Sequence, residues 1–558
     1  LNSVPQTLYK KTNTYYKNGK LKSEYDTEGR KTEYEYDNDG SLSKVSVSTD
    51  QEHKNIVEYV NNSRGQVVTE TKSVSAGTLY NDSRTSLVTA YSYDLNGNLL
   101  AKTLPDGVIV TNAYDKQNRM ISTSQPLTDE NDTVRTATVE EKYNANDDVY
   151  YRKDAGGAET YYVYDNRGRC IKEINPVGGI TLNYYDYAGR LTNTVKPNAY
   201  SENGTLQTMD NTEYVYNCRD LVIKKIENYA ENGERNSVTV SEMSYDANGN
   251  KLSEKDALGN LTTYTYTPGN KIKTALSPES ENKGLTFSDV FLYNGIGQNV
   301  SSVDANGVTS AAEYDAMGNV LKKSISRGDE TAVVETNTYD AAGRLLTKTD
   351  GNGNMVSYTY NELGEISGIT YPSDTSFAGN VVERKYAPNG KIAYEVNSLG
   401  TETLYSYDEA GRNTSVTIQN STNAPLTTSV KYDLSGNIIK DIDGNGNAKI
   451  YEYDPLNRKV SETVNGKTTA YGYDSNGNNT SVTDWRGNTS VNVYDSLDRL
   501  VGVYDAYGKQ VSEKAYNANG SQISDKDALG NITRYEYDRD NRQVRTVDAL
   551  NRSTLKAY

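Results

Sequence analysis

The sequence predicts an all-β chain of continuous antiparallel β-hairpins, and three regularities predict it. A phrase of Tyr, Asp, two variable positions, Gly and often Arg recurs every twenty-odd residues, as in Tyr25-Asp26-Thr27-Glu28-Gly29-Arg30, Tyr164-Asp165-Asn166-Arg167-Gly168-Arg169 and Tyr407-Asp408-Glu409-Ala410-Gly411-Arg412. Tyrosines two apart precede many copies, among them Tyr162/Tyr164, Tyr358/Tyr360 and Tyr535/Tyr537. A second glycine-bearing turn, such as Asp256-Ala257-Leu258-Gly259-Asn260, stands about halfway between copies. A fixed period of this size means one supersecondary unit stacked many times.

The phrase has 22 copies, with its tyrosine at positions 25, 36, 93, 114, 143, 164, 185, 216, 245, 266, 293, 314, 339, 360, 386, 407, 432, 453, 473, 494, 516 and 537. Asp suits the first position of a type I turn, where its carboxylate accepts from backbone N–H groups ahead. Gly suits the fourth, where φ turns positive and a bulge reverses the strand. The exceptions to Gly are Asn118, Asn270, Asn457, Asn541, Asp147, Asp220 and Asp498. All are types that tolerate left-handed backbone. At the Asp position only Thr267 and Ala387 are neither Asp nor Asn.

Tyrosines at period two place both rings on one face of a strand, and Thr, Val and Tyr fill the rest as strand propensity favours. Helical spacing is nowhere sustained. The second turn recurs at Gly107, Gly157, Gly178, Gly259, Gly307, Gly353, Gly400, Gly446, Gly487, Gly508 and Gly530. One 21-residue unit is therefore two short strands and two tight turns. All Tyr-Asp turns gather on one rim and all second turns on the other. Where the tyrosine spacing widens, as from Ser324 to Glu335 or from Ser415 to Leu426, the extra residues are expected to form longer loops on the far rim.

Net charge is −16, and Leu, Ile, Val and Phe are scarce, a composition that borders on disorder. The 49 tyrosines against 3 Phe and 1 Trp supply the missing apolar surface, with a hydroxyl suited to a half-wet face. A pI near 4.9 argues against nucleic-acid binding and against an anionic membrane surface. No apolar run approaches the length of a transmembrane helix. The array is expected to fill residues 1–558, irregular over 1–90 and regular over 91–558. Because Leu1 replaces an initiator Met and Tyr558 falls where the next phrase should begin, the chain is expected to be a piece of a longer one.

About 44 strands in meander order must curl or close. Pattern alone leaves two outcomes open: one strip wound as a spiral, or tandem β-propellers with four strands per blade, which at about eleven blades would need two propellers.

Tyr-Asp-x-x-Gly-Arg followed by Asp-x-x-Gly-Asn resembles the YD repeats of the Rhs family, over roughly residues 15–558. That family includes bacterial polymorphic toxins, wall-associated proteins, the cocoon components of insecticidal toxin complexes, and teneurins. The resemblance implies a single-layer β-shell spiralling round a cavity that, in bacterial members, encloses a C-terminal toxin polypeptide. It also implies a secreted or cell-surface location. The motif that closes the shell in bacterial members, with its self-cleaving aspartates, does not occur here.

No catalytic, cofactor-binding or metal-binding residues are expected. The one histidine, His53, reads as a loop residue. Cys170 and Cys218 read as incidental residues of separate repeats, their redox state open. Asp441-Ile442-Asp443-Gly444-Asn445-Gly446-Asn447 looks like a calcium loop but lacks the closing bidentate Glu, so turn stabilisation is the simpler reading. Acids such as Asp256 and Asp304 recur with the repeats and do not mark a carboxylate pair. The chain reads as a non-enzymatic shell segment, whose partner in the whole protein is its own enclosed toxin. The alternative is a carbohydrate-binding adhesion module, with tyrosine rows stacking on cell-surface glycans.

Overall fold

A computed structural model describes residues 10–26, 29–48, 54–129, 131–197, 210–231, 234–373 and 379–558. His53 lies outside the described residues. The described chain holds 47 β-strands and one single-turn helix, Pro278–Asn282. That helix departs from the expected all-strand reading for a local reason. Ser277 caps it through its side chain and Pro278 sits at its first position.

Two compact units divide the chain, each made of two stretches far apart in sequence. The first unit joins Leu1–Glu140 to Val308–Ala448, and the second joins Glu141–Gly307 to Lys449–Tyr558. Within every stretch, each strand pairs antiparallel with the next. In the second unit, for example, pairing runs without a break from Val149–Lys153 to Asn299–Asp304, and again from Ala448–Tyr453 to Ser553–Leu555. Such runs are far longer than a four-stranded blade, so tandem propellers are not needed.

The turn chemistry is as the phrase dictates. In the Asp165 turn, Gly168 N–H donates to the Asp165 carbonyl and Asp165 N–H donates to Arg169 O, both at 3.0 Å. Asp165 Oδ1 accepts from the N–H groups of Arg167 and Arg169. The register slips by one residue beside most such turns, as between Val163 and Tyr164 or Ser406 and Tyr407, though not beside the Tyr25-Asp26 turn. All seven Asn and Asp exceptions at the glycine position have positive φ, from 58° at Asn270 to 68° at Asp147.

The two exceptions at the Asp position are compensated. Thr267 offers its hydroxyl to Lys271 N–H, and beyond Ala387 the Asn389 side chain accepts from Lys391 N–H. In the second-turn series, Gly107 has φ +92° and no atom within 4 Å of an added Cβ. Gly107→Ala is therefore expected to cost about 1–2 kcal/mol through backbone alone, and Gly107→Asn less, as read by chemical denaturation.

The wider spacings differ from expectation. Residues 324–335 lengthen the strands Val320–Arg327 and Glu330–Tyr339 instead of forming a loop. Alternating side chains there can continue the ladder, so added residues extend the hairpin. The Ser415–Leu426 region does keep a loop, between Asn413–Gln419 and Leu426–Tyr432, and so does the wide spacing that holds the Pro278–Asn282 helix.

The sheet is one layer thick, and packing reflects it. Among the described residues no large side chain is fully buried. Among the described residues one compact apolar cluster joins Val74, Leu79 and Leu87 of the first unit, with Leu363 against them.

Candidate functional site

Two constructions organise the Tyr-Asp rim. The first runs along each strip. The phrase tyrosine donates its hydroxyl to a carbonyl at the start of the strand that leaves the preceding turn: Tyr185 to Cys170 O at 2.9 Å, Tyr432 to Asn413 O at 2.9 Å, Tyr473 to Lys459 O at 2.8 Å and Tyr537 to Gln522 O at 2.8 Å. The arginine that ends a phrase clamps the same junction. Arg412 Nε pairs with Asp408 at 2.6 Å, its guanidinium lies 4.5 Å from the Tyr432 ring centroid, and Nη1 donates to Asp433 O at 3.0 Å. Arg169 repeats this against Asp165, Tyr185 and Asp186, and Arg458 against Asp454, Tyr473 and Asp474. Each arginine thus serves an ion pair, a cation–π contact and a carbonyl at once.

Where Asn replaces Arg, the clamp uses the next turn's left-handed residue. Asn98 Nδ2 reaches Asn118 Oδ1, Asn250 reaches Asn270, and Asn478 reaches Asp498, each at 2.9 Å. These exceptions to glycine therefore have a second cause, since glycine has no oxygen to offer.

The second construction joins the two stretches of each unit, edge on edge. In the first unit, Thr128 N–H and Oγ1 donate to the two Glu409 carboxylate oxygens at 3.0 and 2.9 Å, and Lys431 pairs with Asp132 at 2.8 Å. Thr78 Oγ1 donates to Glu362 at 2.9 Å, and Ser75 N–H donates to the same oxygen. Leu79 bridges to Tyr386, and the Tyr80 and Tyr394 rings stack at 4.8 Å.

The second unit uses the same device. Ser277 Oγ and Glu279 N–H donate to Asp540 at 2.8 and 2.9 Å, Ser496 Oγ donates to Ala230 O at 2.6 Å, and Asn519 bonds both Asp256 and Leu258. Glu362, Glu409, Ser496, Asn519 and Asp540 all occupy the two variable positions of the Tyr-Asp phrase. Positions that read as free in the sequence thus hold the seam between distant stretches.

Electrostatics follow these bonds. Hydrogen bonding and pairing with Arg169 hold the Asp165 carboxyl down at about 2. Asn337 first, with Lys348 and Lys323, lowers Glu335 to about 2 despite opposing desolvation. Burial together with Glu395 pushes Tyr405 up to about 12. A depressed carboxyl contributes stability above its ordinary pKa and loses it as pH falls toward the folded value. Glu335→Gln is expected to flatten the acid limb between about pH 4.5 and 2, measured as the denaturation midpoint against pH.

Of the residues weighed for chemistry, Cys170 is a half-buried thiol and Cys218 an exposed one, each free. Asp443 is occupied by its own turn, accepting from the N–H groups of Asn445 and Asn447 and from Asn447 Nδ2. Among the described residues no group of three His, Cys, Asp or Glu is placed to hold a metal ion, and no helix is long and apolar enough to cross a membrane.

The Rhs repeat family model matches residues 86–130 and 339–376, and the teneurin YD-shell model matches residues 379–554. Over those residues the chain is made of YD repeats similar to those of the Rhs and teneurin-shell models. No curated protein sequence matches it. Among solved structures, the YD array is similar to TcdB2-TccC3-TEV, with a TM-score of 0.71 and 13% identity over 96% of this chain and 34% of that one. It is similar to TcdB2-TccC3, with a TM-score of 0.63 and 13% identity over 98% and 32%. A third likeness is to the Photorhabdus luminescens Tc holotoxin pore, with a TM-score of 0.53 and 13% identity over 98% and 34%. The chain spans about a third of the length of these solved chains. At such identities the likeness is one of fold, that of a shell. The YD rim described above, with its tyrosine ladder, arginine clamps and edge seam, is what builds that fold here.

Proposed function

We propose that this YD array is a structural, non-enzymatic wall segment of a large secreted or surface-displayed toxin, enclosing a toxin polypeptide in the whole protein. Residues 1–558 act in this reading as one array. The observation that carries it is the one-layer sheet, in which no large side chain is fully buried among the described residues and rim bonds hold the strands instead. Such a sheet has two broad faces and no thick core, which suits a partition between an inside and an outside. The shared fold with TcdB2-TccC3 supports the same reading.

Carbohydrate adhesion has no comparable support. Most phrase tyrosines donate their hydroxyls to main-chain carbonyls, and several rings lie under arginines. The test is protease protection of the polypeptide that the whole protein is proposed to enclose. Expected is resistance that disappears when the wall is unfolded. Digestion at the rate of the isolated polypeptide overturns the proposal.

A further inference from the structure

The first unit holds a cavity of about 320 Å³ beside its apolar cluster, where its two stretches meet. Three neighbouring strands, Lys54–Asn61, Val67–Ser73 and Ser86–Tyr93, present one face to it. Lys72 stands opposite Leu87 on one side and Val57 on the other, and Asn55 lies two residues before Val57. Period two therefore sets Asn55, Lys72 and Leu87 on a common face. The other stretch supplies Leu363 and Glu365 from one Tyr-Asp turn and Pro388 to Gly390 from the next.

The lining divides by chemistry. Leu87, Leu104, Pro105, Leu363 and Pro388 make an apolar side, continuous with the cluster through Leu87 and Leu363. The polar groups are only partly engaged. Glu365 Oε2 accepts from Asn361 Nδ2 at 2.8 Å, whereas Oε1 has no donor among the described residues. Gly390 lies against that oxygen, and a Cβ added there would stand 3.4 Å from it. Burial raises the Glu365 carboxyl above its usual range, against the opposing pull of Asn361 and Lys72. Asn55 Oδ1 is buried with no hydrogen-bond donor. Lys72 makes one ion pair, to Glu70 at 3.5 Å, and keeps donors to spare. Two acceptors short of a donor and a cation with spare donors thus share one cavity with an apolar side.

We propose that this cavity binds a small zwitterion with an aliphatic body, an α-amino acid of the leucine class, whose ammonium group meets Glu365 and Asn55 and whose carboxylate meets Lys72. The site goes beyond the wall role and does not depend on what the wall encloses. Its volume is at the lower end of ligand pockets, which sets the ligand at amino-acid size. The aliphatic body covers Leu87, Leu104 and Leu363, taking from water surface that a one-layer sheet leaves half-wet. Each charged end makes a charge-assisted bond. Because the ligand touches both stretches, the folded unit gains stability as ligand concentration rises.

Isothermal titration calorimetry of the full chain with L-leucine tests this. Expected is saturable binding with a Kd on the order of 0.1–1 mM, and a denaturation midpoint that rises with leucine concentration. Leucinamide lacks the carboxylate and isocaproate lacks the ammonium, so each should bind at least about tenfold more weakly. Lys72→Met should erase the preference for leucine over leucinamide, and Glu365→Gln the preference over isocaproate. Unchanged far-ultraviolet circular dichroism verifies that both variants fold. No saturable binding of L-leucine to the parent chain, equal binding of all three compounds, or both preferences intact in the variants overturns the proposal.

Discussion

Leu79→Ala is expected to lower the stability of the first unit by about 2–5 kcal/mol, the range for emptying a buried leucine site. Leu79 is 2% exposed and packs with Val74 and Leu87 in a cluster reached by Leu363 from the other stretch. In a one-layer sheet there is little else to collapse into the space, which favours the upper part of that range. The loss should also release the local seam. Tyr80 N–H donates to Tyr386 O at 3.0 Å, and the Tyr80–Tyr394 stack depends on the same loop position. Hydrogen exchange at Tyr80 and Tyr386 should therefore accelerate with the fall in denaturation midpoint. A midpoint within experimental error of the parent would show that the cluster does not anchor the two stretches.

Asp540→Ala is expected to have the next largest effect, in the second unit. Its carboxylate accepts from Ser277 Oγ and Glu279 N–H, and the Arg542 guanidinium stands 3.4 Å away. Removing the acceptor leaves two part-buried donors without it, a cost of about 1–3 kcal/mol. Asp540→Asn keeps one oxygen and should recover part of that loss. Denaturation curves of the two variants check the order. Asp540→Ala should cost less when added to Ser277→Ala than alone, since the two variants then share the loss of one bond.

Much of the local fold is legible in the sequence because backbone stereochemistry writes it. The Asn and Asp substitutes at the glycine column, such as Asp147 and Asn270, betray their positive φ directly. Tyrosine pairs at period two mark strands for the same local reason. The arginine that ends a phrase is visible, but its threefold role is not, since its ring and carbonyl partners belong to the next turn.

The seam is illegible for a different reason. Glu409 and Thr128 are brought together by where the strip returns, which no local pattern encodes. Glu362, Ser496, Asn519 and Asp540 consequently look like arbitrary fillers of variable positions. One signal was available: the repeated Asp-Ala-Leu-Gly-Asn and the recurring Asn two positions after the turn's first residue are too alike to be filler. The Pro278–Asn282 turn of helix was also readable from Ser277-Pro278, a cap followed by the residue favoured at a first helical position.

That distant stretches of one hairpin strip lie edge on edge is tested most directly by spin-label distances across the seam. Labels at Asp132 and Lys431 report on the first unit, and labels at Ala230 and Ser496 on the second, in a background where Cys170 and Cys218 are serine. Both pairs should give a single short, narrow distance in the folded chain and lose it on unfolding. Long or broad distributions at either pair in folded protein would contradict the edge-on-edge strip.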